Sequence, residues 1–260
     1  KLKQTAEIWD NLGNLYVQME NYPSAKNCYL NAIGIDEKYV PSHISLGLVS
    51  HFMGDWRKGF EKYEWRYLYY PELRPYISWY DLSKLWDGKA SLEGKRVLVY
   101  GEQGSGDIIM FSRYLKEVKA RGAYVMFHIP ASLNKLFAGM EEIDEFVNID
   151  INNLKVDPLP EYDYQFALMS APHLLGVEAI FGEPYIVDVP DNFRKLIKEQ
   201  CPDTFNVGII WSGNTANPDN VEKTVPLEEL KRLESVEGVK LFCLQMEAES
   251  ASGLTDLTEF

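Results

Sequence analysis

Cysteine is scarce in this 260-residue chain. Cys28, Cys201 and Cys243 are far apart and odd in number, and no CxxC or Cys/His cluster occurs. This excludes a disulfide framework and a zinc site, and it points to a reducing compartment, the cytoplasm. Long apolar runs are absent too, so no membrane span is expected. Basic residues are outnumbered: 26 Lys and Arg against 39 Asp and Glu leave a formal charge of -13 with no basic run. That balance argues against nonspecific binding to nucleic acid or anionic lipid. The four histidines, at 43, 51, 128 and 173, lack metal-ligand spacing, so neither a metal nor a resident cofactor is expected. His173, in SAPHLL, reads as a packed histidine in preference to a functional one. The first residue is Lys, which reads as a fragment or a processed chain.

What is present begins with a repeat. Leu12 and Leu46, Gly13 and Gly47, Ala25 and Gly59, and Tyr29 and Tyr63 are each 34 positions apart. With Trp9, Tyr16 and Ala32 in order, the pattern resembles the tetratricopeptide repeat, a helix-turn-helix unit. Small residues at 13, 25, 47 and 59 let helices approach closely, and the aromatics fill the space beside them. The aromatics read first as repeat core, with a protein partner at the repeats as the functional alternative. Two such units make a marginal array, so the last helix should be covered by further repeats or by the following domain. Residues 1–70 are assigned to the repeats. Residues 71–95 form an ordered connector rich in aromatics and proline. Trp65, Tyr67, Trp79 and Trp86 are expected to pack between repeats and the next domain, and Arg66 to form an ion pair there.

From residue 96 the pattern becomes that of an α/β protein. Strands RVLVY, YVMFHI, EFVNID and YQFALM alternate with helical segments, which predicts a Rossmann-like parallel sheet domain over 96–200 with helices on both faces. A second sheet domain begins in 201–260 with FNVGIIWSGN, helix PLEELKRLES and strand VKLFCLQ. Between the first strand and helix lies GEQGSGD, residues 101–107. A Walker loop needs Lys then Ser or Thr after its last glycine, but Asp107 and Ile108 stand there. Glycines at 101, 104 and 106 are not a GxGxxG fingerprint either. Taken alone, Asp107 reads as an acid in the first turn of a helix, stabilised by the dipole or serving as a cap.

The loop has company, however. EQGSGDIIMFSRYLKEVKARGAYV, YDYQFALMSAPHLLG, EPYI, FNVGIIWSGN, KTVPLEEL and LFCLQ, in this order, with YEWR and LWDG upstream, resemble bacterial tetratricopeptide-containing glycosyltransferases whose catalytic part is similar to the heptosyltransferases. The resemblance implies a GT-B architecture: two Rossmann-like domains, the acceptor bound by the first and a nucleotide-sugar donor by the second. It also implies inverting transfer to a hydroxyl acceptor, a glycan or a protein, with Asp107 as the base that takes the hydroxyl proton. Glu102, Gln103, Gly104 and Gly106 become acceptor-binding candidates, Glu102 and Gln103 with the alternative of supporting the site from behind, the two glycines because they allow close approach to the backbone. Arg113, nearly two helical turns beyond Asp107, is read as structural or as a contact to distal acceptor.

On the donor side Trp211, Ser212, Gly213, Asn214, Lys223, Thr224 and Gln245 are the candidates, with amides and an ammonium available for a leaving diphosphate. Family members often carry Arg-Ser where this chain has Lys223-Thr224, which retains charge and hydroxyl and loses bidentate geometry. With two strands evident after residue 205, the donor half is expected to be incomplete and to bind nucleotide diphosphates weakly. The alternative reading is a protein-binding repeat scaffold with an inactive transferase-like domain.

Overall fold

The computed structural model describes residues 5–69, 81–149, 159–179, 182–186, 195, 203–213, 224–245 and 254–256. Two compact units divide between Val187 and Asp188.

The first unit opens with four helices, α1 (Ala6–Gln18), α2 (Tyr22–Ile35), α3 (Val40–Phe52) and α4 (Trp56–Tyr63). Their starts are written locally. Thr5, Asn21 and Asp55 each accept a backbone N–H of the first turn that has no partner within the helix. The turns between paired helices place Glu20 and Gly54, 34 positions apart, at positive φ, a conformation that only the glycine adopts without strain. The small residues act as the spacing predicts. An added Cβ at Gly13 would strike the Tyr29 ring, at Gly47 the backbone of Gly59, and at Gly59 the His51 ring. Ala25, Tyr29, Leu46 and Val49 form the core between α1, α2 and α3. Ser42, buried beside them, donates its hydroxyl to Asp10 at 2.6 Å.

A single turn, α5 (Arg66–Tyr69), follows α4. Beyond it lies a sheet of β1 (Arg96–Tyr100), β2 (Tyr124–Pro130), β3 (Glu145–Ile149) and β4 (Tyr164–Ala167). All pairings are parallel and the order is β3-β2-β1-β4, with Val97 opposite both Val125 and Tyr164. The alternation of β1 sets two faces. Val97 and Val99 join the main core with Ile108, Phe111, Leu115, Val118 and Phe137 from the helical segments. Leu98 and Tyr100 point the other way, with Met126 and Ala167. Helices were expected on both faces, but among the described residues this second face is covered by Tyr67 of α5 and by Leu159 and Tyr162. A side chain from the end of the helical region therefore completes the sheet.

The last helix of the array is covered by the α/β part of the same unit. Phe60 of α4 lies in the main core and meets Tyr114 edge-on, with Trp56 and Tyr63 packed beside it. The expected tryptophans play different parts. Trp65 stacks on His43 of α3, ring centroids 3.6 Å apart, so it braces the helices internally. Trp86 belongs to the sheet core, where it packs on Phe166 while its backbone N–H bonds Gln165. Trp79 lies outside the described residues.

The second unit contains β5 (Phe205–Ile209), β6 (Val239–Cys243) and β7 (Thr255–Asp256), parallel and in that order, with a helical turn at Leu227–Lys231. Two strands were expected here and a third is present. At two residues, β7 is too short to show a periodic pattern in sequence.

Candidate functional site

In a parallel sheet ordered β3-β2-β1-β4, the chain runs outward from β1 to β2 and then returns to the other side of β1 for β4. Loops leaving the carboxyl ends of β1 and β4 thus diverge around a crevice, the usual ligand position in open α/β sheets. GEQGSGD is the loop leaving β1, and Leu168–Ser170 is the turn leaving β4.

Arg66 enters between these two loops. Its guanidinium is 0% exposed; Nη2 donates to Glu102 at 2.6 Å and to Ser170 at 2.8 Å, and Nη1 donates to Glu64 at 2.6 Å. The Ser170 hydroxyl donates in turn to Glu64 at 2.8 Å, and the Tyr67 hydroxyl accepts from Nη2 at 2.7 Å. The Tyr67 ring lies under the guanidinium, 4.2 Å from its carbon. Glu102 is 4% exposed, and burial pushes its carboxyl up from the ordinary range against the opposing pull of Arg66. For Arg66, burial favours the neutral form, but Glu102, Tyr67 and Glu64 outweigh it and hold the guanidinium charged. The ion pair expected of Arg66 is present, and its partner is a residue assigned to acceptor binding. The Glu102 carboxylate faces inward and ties the loop to α5.

Gln103 holds a left-handed φ of 61°, unusual outside glycine, and its side-chain amide donates to the Tyr63 hydroxyl at 3.1 Å. Gly104 and Gly106 are exposed, and an added Cβ at Gly106 would meet nothing within 4 Å. Asp107 is half-buried in the first turn of the helix Ser105–Phe111, where Oδ2 accepts the Gly104 N–H at 3.0 Å. One carboxylate oxygen is thereby fixed by the cap. Arg113 turns back onto the helix that precedes it, donating to the Met110 carbonyl, and lies over the Tyr185 ring.

The second unit brings its own candidates together at the carboxyl ends of β5 and β6. The backbone N–H groups of Trp211 and Ser212 both donate to Oε1 of Gln245, at 3.1 and 2.9 Å. The hydroxyls of Ser212 and Thr224 lie 3.3 Å apart, and Val225 N–H bonds the Trp211 carbonyl. Two consecutive amides thus converge on one oxygen, the arrangement with which backbone holds an anion. Gly213 follows on the same turn; Asn214 and Lys223 lie outside the described residues.

Tyr67 was expected to pack between the helices and the sheet, and it does; sequence reasoning did not find Glu64 or Ser170. Their signal was a charged residue in a segment crowded with aromatics: an arginine buried there requires carboxylate partners, and Glu64 and Glu102 were the nearby acids. Among the described residues, no cluster of His, Cys, Asp and Glu is placed to hold a metal, and no helix is long and apolar enough to cross a membrane. No family model and no curated protein matches this chain.

Proposed function

We propose that this chain carries the machinery of an inverting glycosyltransferase of GT-B type, preceded by tetratricopeptide units, which moves a sugar from a nucleotide diphosphate to a hydroxyl acceptor, with Asp107 as base. The observation that carries the reading is the position of Asp107: a carboxylate at the mouth of the β1/β4 crevice, one oxygen held by the Gly104 amide and the other, Oδ1, without a partner among the described residues. A base needs this division, because a fixed carboxylate reaches a substrate hydroxyl in one geometry only. Gln103, Gly104 and Gly106 line the exposed rim where the acceptor sits, and the Arg66–Glu102 pair keeps that rim in shape. In the second unit the amides of Trp211 and Ser212, with Thr224, are the groups that receive the diphosphate once Gln245 yields its place.

A second reading, a protein-binding scaffold with an inactive transferase-like domain, is favoured by the same bonds. Gln245 already occupies the two amides, and the cap alone accounts for Asp107. Release of nucleoside diphosphate from a panel of UDP, GDP and ADP sugars separates the two. Under the first reading Asp107→Asn lowers turnover by about two to four orders of magnitude, while Asn, itself a capping residue, keeps the fold. Turnover that survives the substitution rules out Asp107 as base, and no release from any donor supports the scaffold.

A further inference from the structure

The two 34-residue units are similar in sequence and opposite in surroundings. On α1 and its C-cap, Ile8 (51% exposed), Leu12 (36%), Leu15 (55%) and Met19 (70%) lie four, three and four residues apart, so they form one apolar stripe along one side of the helix. Ala6, Asp10 and Gly13 on its opposite side are buried. Advancing the stripe by 34 positions gives Ser42, Leu46, Val49 and Met53 on α3. There Ser42, Leu46 and Val49 are fully buried, packed on Ala25 and Tyr29 of α2 and bonded to Asp10 of α1. The exposed face of α1 is therefore the continuation, one repeat earlier, of an interface that the molecule already makes.

We infer that this face is a docking surface for one more helical pair of the same 34-residue kind, presenting an α2-like helix with a small residue, a tyrosine and a small residue in the positions of Ala25, Tyr29 and Ala32. A second copy of this chain does not supply that helix by stacking head to tail. Its α2 face is taken by α3, and α4 packs against the α/β part through Phe60 and against the helix Ala171–Leu175. The pattern also fixes one side chain of the occupant. Asp10 faces Ser42, but the residue 34 before Ser42 is Ile8, so an apolar residue must stand where Asp10 stands in the first unit.

The test places an extra copy of residues 5–38, carrying Asp10→Leu within the copy, ahead of Thr5 of the whole chain. Docking raises the melting midpoint of the helical signal by roughly 5 °C, as an added repeat interface does in arrays stabilised by nearest neighbours. Leu15→Lys with Met19→Lys in the original first unit abolishes the rise, and retaining Asp in the added copy reduces it. The same lysine pair in the unextended chain leaves the midpoint within about 1 °C, because the stripe is solvated there. Three results overturn the inference: no rise on extension, a rise that survives the lysine pair, or a large loss from that pair in the unextended chain. Sedimentation supplies the remaining arm. The unextended chain is expected to be monomeric, and a dimer that dissociates with Leu15→Lys identifies a second copy as the occupant and overturns it as well.

Discussion

Leu12 and Leu46 hold the same place in two copies of one helical unit, yet the first is 36% exposed and the second 0%. Ala32 and Arg66 share another such place, both fully buried, the one among helices and the other in a network that reaches the loops of a parallel sheet. A repeat position thus specifies which way a side chain points, and its neighbours decide what the burial is worth. The first copy keeps the plain residues of a stackable unit. The second has exchanged one small residue for an arginine, and by that exchange the end of the array is joined to the sheet.

The largest effect should come from erasing this exchange. Arg66→Ala restores the residue of the first copy and strands the Glu102 carboxylate in the interior, at a cost of about 3–5 kcal/mol in denaturant unfolding. A loss below about 1 kcal/mol would mean that Glu102 finds water on its own. Next comes the leucine pair. Leu46→Ala should cost about 2–5 kcal/mol and Leu12→Ala under about 1 kcal/mol, since only the first leaves a cavity. Equal losses would show that α1 is as fully packed as α3.

The smallest effect is a pH dependence confined to one copy. Residues 5–38 contain no histidine, whereas His43 and His51 lie in α3. Burial lowers both below the usual histidine range. As pH falls below about 6.5 the unfolded chain takes up protons that the folded chain refuses, so stability declines toward acid. His128 of β2, lowered by burial to about 4, acts in the same direction for the sheet. Amide exchange between pH 7 and 5.5, corrected for intrinsic rates, should therefore rise in α3 before it rises in α1. Parallel behaviour of the two helices would remove the histidines from the explanation.

Much of this was legible beforehand. The period of 34 located both helical pairs, and RVLVY coincides with β1 at both ends. Trp211, Ser212 and Gln245, singled out at strand ends, and Thr224, singled out ahead of helix PLEEL, do meet at the carboxyl ends of β5 and β6. Close packing of Gly13, Gly47 and Gly59 was readable because residues three, four and seven apart in a helix share a face whatever surrounds them. Capping of the loop helix by Asp107 was one of two readings open from the start, and it rests on an interaction three residues long.

The rest depended on distance in space. Glu102 had two readings, to bind acceptor or to support the site, and what it bonds is Arg66, 36 positions away, with Ser170 a further 68 beyond. Trp65 was expected between the helical repeats and the next domain and stacks instead on His43. Local spacing determines helix faces, strand alternation and caps, because those interactions span a few residues and follow the periods 3.6 and 2. Which buried charge meets which, and which apolar stripe remains uncovered, is decided only when elements far apart in the chain are packed together. The cost of leaving Arg66 or Glu102 unpaired in a low-dielectric interior selects that packing, and it has no period for a sequence to display.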